Sequence, residues 1–141
     1  MMSVLVISTA AAWGMVGVIW MVQVVHYPML AEYSAVSPVR AAVDHQRRIT
    51  PVVGPFMAAE GVTALILLVD RPATMGTLSA WIAAALLGVA LLSTIALQIP
   101  LHSSLARGHD DRVAGKLIHT NWLRTAAWTA RGLVLAAVLA T

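Results

Sequence analysis

Four long apolar runs, at roughly 4–25, 52–69, 78–99 and 126–140, alternate with short stretches where charges and turn-forming residues collect. Runs of about 20 apolar residues are long enough to cross a bilayer as helices. Lipid offers no partner to a bare peptide group, so such runs satisfy their backbone internally, as α-helices. The first helix is expected from about Ser3 to Tyr33, continuing through Pro28, with a turn from Ser34 to Ser37. Ser37-Pro38 reads as N-cap and first helical residue of a second helix that reaches Val69 and is bent by Pro51 and Pro55. Asp70 to Gly76 makes the next turn, and a third helix covers about Leu78 to Ala106 with Pro100 inside it. Gly108 suits a C-terminal cap, and Asp110 or Asp111 caps the fourth helix. Short connections between successive helices favour antiparallel neighbours. The expected fold is therefore all-α. It is one integral membrane domain over residues 1–141, a four-helix bundle of two helical hairpins running up-down-up-down.

Composition sharpens this reading. The chain is 60% hydrophobic and only 11% charged, less than half the roughly 25% usual for soluble domains, and its mean hydropathy is +0.83. No basic leader precedes the first apolar run, which is read as a retained span and not as a signal peptide. Cysteine is absent, which excludes disulfides, thiolate ligands, cysteine-held clusters and covalent c-type haem. The pI of about 10.2 reflects where the bases sit and gives no reason to expect nucleic-acid binding. Arg40, Arg47, Arg48, Arg107, Arg112, Lys116 and Arg124 lie on the first and third connections or the adjoining helix ends, whereas the second connection has Arg71 beside Asp70. The positive-inside rule then puts connections one and three in the cytoplasm and both termini outside a cytoplasmic membrane.

Against so few charges, five histidines stand out. His26 and His45 are centred on the Ala35–Val36 turn, and His102 and His119 on the Asp110–Asp111 turn. At a rise of about 1.5 Å per residue, each lies roughly 10–15 Å from its turn, so the four imidazoles are expected at one level, toward the cytoplasmic side. Imidazole is the commonest metal ligand and also binds haem iron. An all-imidazole set suits a transition metal (copper, iron or zinc), and two axial histidines could instead hold a non-covalent haem. His26, His45, His102 and His119 are thus the candidate metal and cofactor ligands. A single histidine near a membrane interface is more often a hydrogen-bonded or headgroup-facing side chain, and no tight motif such as His-Glu-x-x-His is present. Four at matched level, one per helix, shift the balance. His109, in a Gly-His-Asp-Asp turn, is expected to be a solvated loop residue. Pro28 and Pro100 each leave a carbonyl free near a histidine, and Gln23, Gln98, Tyr27 and Asn121 add hydrogen-bonding groups at this depth.

Arg124, Trp128 and Arg131 share one helix face with Asn121. Arg131 lies about 18 Å beyond His119, and Glu60 about 22 Å beyond His45 on a helix running the same way. A buried Glu60–Arg131 pair is expected, because an unpaired charge at that depth is costly; its plainest role is to fix helix register. Arg48 and Arg124 are expected to face headgroups or an anionic substrate, with headgroups the default. Trp122 is the tryptophan expected nearest the histidines. The seven methionines are dispersed and read as packing.

The stretches Gln98-Ile-Pro-Leu-His102, Thr120-Asn-Trp-Leu-Arg-Thr125 and His26-Tyr-Pro-Met-Leu30 resemble motifs of the membrane family named after anthrone oxygenase. That family has an Asn-x-Pro-x-Asn-like end to its third helix and a Trp-Asn-x-x-Arg-Thr-like start to its fourth. Pro28, Gln98, Pro100, His102, Asn121, Arg124 and Thr125 fall on the recurring positions. The resemblance implies a four-helix membrane bundle and oxygenation of polycyclic anthrones. It also places histidine at 102 where asparagine is common, and His26 and His45 are additional, which points to a branch that has acquired a metal or haem. The function expected is an oxidoreductase or oxygenase acting on a small hydrophobic, aromatic or quinone-like substrate, with Gln98, Asn121 and Arg124 as catalytic groups orienting it alongside Gln23. A non-enzymatic metal or haem carrier, an electron-transfer subunit and a cofactor-free structural membrane protein are the alternatives. The lipid bilayer is the expected partner, and small-residue faces such as Ala83–Ala85 and Ala126-Ala127 could support a homo-oligomer or a larger membrane complex.

Overall fold

Four helical rods account for nearly the whole chain, and no strand is found among the described residues. The computed structural model describes the backbone of every residue except Ser37, and the side chains of residues 1–32 and 40–141. The first rod is α1 (Met2–Met21), a π-helical turn (Val22–His26) and α2 (Tyr27–Val36). The second is a single helix, α3 (Pro38–Val69), unbroken through Pro51 and Pro55. The third is α4 (Thr77–Ser93), a second π-helical turn (Thr94–Gln98) and α5 (Ile99–Leu105), and the fourth is α6 (Asp111–Leu139). Helix continues to Val36, past the expected end at Tyr33, and the expected N-cap Ser37 lies outside the described residues.

Three rods, Met2–Glu32, Arg40–Val69 and Thr77–Leu105, are long and apolar enough to cross a membrane. The fourth, although 29 residues long, is not among them. Arg124 and Arg131 interrupt its apolar run, and both are buried against the other rods. The outer surface carries many large apolar side chains, Leu65, Val69, Leu78, Leu92 and Ile95 among them. Continuous apolar exposure of this kind is what a lipid-facing surface requires and what soluble monomers avoid.

The two π-helical turns have a common cause. Proline cannot donate to the carbonyl four residues back, and its ring collides with that carbonyl in an α-helix. Pro28 would strike Val24, and Pro100 would strike Ala96. Here each turn is widened, so the Tyr27 N–H reaches back five residues to the Val22 carbonyl and the Ile99 N–H to the Thr94 carbonyl. In both rods the proline follows the π-turn after one residue. Such bulges recur at functional sites because they re-aim side chains; these two carry Gln23, His26 and Gln98.

Asp110 caps α6, accepting from the backbone N–H of Arg112 at 2.8 Å and of Val113 at 3.3 Å. The glycine cap expected at Gly108 is not used: α5 ends on Ala106 in right-handed conformation, and no glycine among the described residues has a positive φ.

Inside, three apolar clusters follow one another along the rods. Leu5, Leu67, Met75, Ala83 and Leu135 fill the end near the second connection. Met15, Ile19, Ala90 and Trp128 fill the middle, with Phe56 and Met57 against them. Val22, Tyr27, Leu30, Leu105 and Leu117 fill the far end. Gly14 lets α1 close on α3, because a Cβ there would sit 2.6 Å from the Phe56 ring. Apart from hydroxyls bonded back to their own helices, such as those of Thr9, Thr63, Ser93 and Thr125, the buried polar side chains collect at two levels, and those levels carry the chemistry.

Candidate functional site

The first polar level is complete in itself. Arg131, 1% exposed, donates from Nε to Glu60 Oε1 at 2.9 Å, from Nη1 to the Ala83 carbonyl at 2.6 Å and from Nη2 to Ser8 Oγ at 3.1 Å. Glu60, fully buried, also accepts from Trp128 Nε1 at 2.9 Å. The pair expected from helix rise is therefore formed. All four rods contribute to it, as a register lock should, and the guanidinium and carboxylate are paired and hydrogen-bonded as burial demands.

The second level, toward the far end, is not complete. His26, His45 and His102 come together there as expected. His26 Nε2 lies 2.6 Å from His45 Nδ1, and their rings stack at 4.5 Å; the His45 and His102 rings stack at 4.8 Å. His119 does not join them. It is exposed on α6, and the reason is helical phase. Asn121 faces inward, and two residues of α-helix turn the chain through roughly 200°, which sets His119 on the opposite face. Trp122 is likewise outside the site, half-exposed and edge-on to Trp20 at 5.7 Å. His109 pairs with Asp111 at 2.8 Å in the third connection, away from the cluster.

The three imidazoles meet as a hydrogen-bonded and stacked set. Nitrogens that share one ion at 2.0–2.1 Å stand roughly 3.3 Å apart at a tetrahedral angle. The 2.6 Å contact between His26 and His45 is a hydrogen bond with one proton between the rings. Among the described residues no group of three or more His, Cys, Asp or Glu is disposed to hold a metal ion.

Around the rings, hydrogen bonds assign the protons. Gln98 donates from Nε2 to Thr120 Oγ1 at 2.9 Å, and the Thr120 hydroxyl donates to the Lys116 carbonyl at 2.8 Å. That fixes the Gln98 amide with its oxygen toward Tyr27, whose hydroxyl donates to it at 3.3 Å. With the Tyr27 proton on Gln98, Tyr27 accepts from His102 Nε2, 3.0 Å away. His102 is the Nε2–H tautomer in that arrangement, which makes its Nδ1 an acceptor. The same nitrogen is buried without any partner.

Gln23 and Asn121 form the neighbouring chain. Gln23 donates to the Ile118 carbonyl at 3.2 Å, Asn121 donates to Gln23 Oε1 at 2.7 Å, and Arg124 Nη1 donates to Asn121 Oδ1 at 3.0 Å. Arg124 also lies over the Trp128 ring at 5.2 Å. It is only 7% exposed, so of the two orientations expected for it, the headgroup-facing one is excluded. Arg48, by contrast, is exposed.

A recess of about 410 Å³ opens beside this level. Its walls are apolar, from Met15, Ile19, Ile49, Val53 and Met57, and its polar end is formed by Tyr27, His45, Gln46, Gln98, His102 and Arg124. An apolar pocket of this size with a few convergent polar groups is the usual form of a small-molecule site. A second recess of about 480 Å³ lies outward of it, lined by His26, His45, Arg40, Asp44 and Arg48 with Met21, Met29 and Leu30. His45 borders both.

Of the residues expected at the site, Gln98, Asn121, Arg124 and three of the four histidines are brought to this one level. Sequence reasoning missed Gln46 and Thr120, whose side chains meet the site only through the packing of α3 and α6. Compared with known proteins, the chain matches no family model, no curated protein and no solved structure.

Proposed function

We propose that this chain is an oxidoreductase of the oxygenase kind, an up-down-up-down bundle in the cytoplasmic membrane that takes a small hydroxylated or quinone-like aromatic from the bilayer into the inner recess. The observation that carries this reading is the buried, unpartnered Nδ1 of His102 among the polar groups of an apolar-walled recess. Such a nitrogen can accept the hydrogen bond of a phenolic or enolic hydroxyl and help to polarise it. Arg124 would hold the oxyanion that forms, and Tyr27 and Gln98 keep His102 in the required tautomer. An electron-rich aromatic anion is the species that dioxygen oxidises. The resemblance to the anthrone oxygenase family supports the same substrate class. The contiguity of His26, His45 and His102 favours one further reading, a transition-metal site formed after rotation of the rings, and no step above depends on it.

The test uses protein purified in mild detergent, with anthrone as substrate and dioxygen consumption as the readout. Anthrone plus dioxygen gives anthraquinone plus water. Uptake above the buffer rate is expected, lost at least tenfold in His102→Ala and reduced in Tyr27→Phe. Uptake no faster than buffer, or unchanged in His102→Ala, would reject the reading. Elemental analysis of the same preparation, beside a His26→Ala/His102→Ala variant, decides the metal: stoichiometric copper, iron or zinc lost in the variant would establish it.

A further inference from the structure

Two arginines are buried in the interior, seven residues apart on α6 and roughly 10 Å apart along its axis. Arg131 is neutralised by Glu60. Arg124 has no carboxylate partner among the described residues. Its guanidinium meets an amide oxygen, the Tyr27 hydroxyl and the face of an indole, all neutral groups, and its Nε is buried with no partner at all. Guanidinium does not give up its proton in proteins, so the positive charge persists, and an uncompensated buried charge is strongly destabilising.

Orphaned groups are concentrated at this one place. Among the described residues, three buried side-chain polar atoms lack a hydrogen-bond partner: Arg124 Nε, Gln46 Nε2 and His102 Nδ1. They come from three different rods, and all three residues line the inner recess. Folded chains satisfy nearly all such groups. Two of these are N–H donors around a fixed positive charge, and the third is a ring nitrogen free to hydrogen-bond a ligand. Apolar walls make up the rest.

From this convergence we infer that the inner recess binds an organic acid as its anion: a carboxylate or phenolate on an apolar body, ion-paired with Arg124 and accepting from Gln46. The inference rests on the recess being a ligand site, as proposed above, and not on any oxidation occurring there. A ring-borne acid and a fatty acid share this chemistry, and the test separates them.

The probes are 2-naphthoate, its neutral isostere 2-naphthamide, and dodecanoate, with binding measured by titration calorimetry on the full chain in a non-ionic detergent. Wild type is expected to bind 2-naphthoate at least tenfold more tightly than 2-naphthamide. That preference should fall toward unity in Arg124→Gln, survive in part in Arg124→Lys, and be unchanged in Arg48→Gln, which alters the exposed arginine of the outer recess. Dodecanoate binding more tightly than 2-naphthoate, with the same dependence on Arg124, would support the anion site and identify its ligand as lipid-derived. Equal affinity for acid and amide in wild type, a preference that persists in Arg124→Gln, or no binding by either acid would overturn the inference. Naphthoate binding without anthrone oxidation would leave the anion site standing and remove the oxygenase; anthrone oxidation with no acid preference would do the reverse.

Discussion

Arg131 and Arg124 show how far single residues could be read. Counting helix rise was enough to bring Glu60 and Arg131 to one depth, because the α-helix has a fixed pitch and a charge in a bilayer needs its opposite. Phase was harder. Matched depth placed His119 with the other histidines, but depth says nothing about rotation, and the inward face of α6 is set by Asn121, Arg124, Thr125 and Trp128. Nor could the sequence show that Arg124 would lack a partner, since that depends on which side chains the other three rods leave nearby. The Glu60–Arg131 pair gives a direct prediction. Glu60→Ala strands a buried guanidinium and should cost about 3–5 kcal/mol, seen as a lowered midpoint of thermal unfolding in detergent. Replacing both partners, as Glu60→Leu with Arg131→Leu, should recover part of that loss because no charge is then left unpaired. A Glu60→Ala protein that unfolds at the wild-type midpoint would show that the pair is not a structural lock.

At the scale of elements, the apolar runs gave the rods and their ends to within a few residues, because length, turn residues and the Asp110 cap act locally. The π-turns were not legible. A proline in a helical pattern announces a lost hydrogen bond, but whether the helix kinks, breaks or widens depends on how the neighbouring rods take up the change. Close approach between rods is similarly invisible in a sequence with nine glycines, and only some of them are contact points. Gly14→Leu would force α1 off the Phe56 ring, at about 1–3 kcal/mol for an overpacked contact. Gly17→Leu, at an exposed position with nothing within 4 Å, should leave the unfolding midpoint at or slightly above wild type, leucine being the better helix former. Equal destabilisation by both would mean that the effect is not the α1–α3 contact.

For the whole molecule, the distribution of charge predicts a direction across a membrane. Arg40, Arg47, Arg48, Arg107, Arg112 and Lys116 crowd the end of the bundle that holds the first and third connections, and the second connection carries only Arg71 beside Asp70. Lysines and arginines in short loops are retained on the cytoplasmic side during insertion. The histidine level and both recesses lie toward the basic end, so an acid entering the outer recess would meet Arg40 and Arg48 before reaching Arg124. The same asymmetry supplies a test that needs no ligand. Because the natural chain has no cysteine, one introduced cysteine reports one site. Thr74→Cys in the second connection and Arg107→Cys in the third are both at exposed positions. In intact cells, a membrane-impermeant maleimide should label Thr74→Cys and leave Arg107→Cys unmodified until the membrane is opened. The reverse pattern would invert the topology and place the anion site on the outer side; labelling of both in intact cells would show that the two connections are not on opposite faces of a membrane.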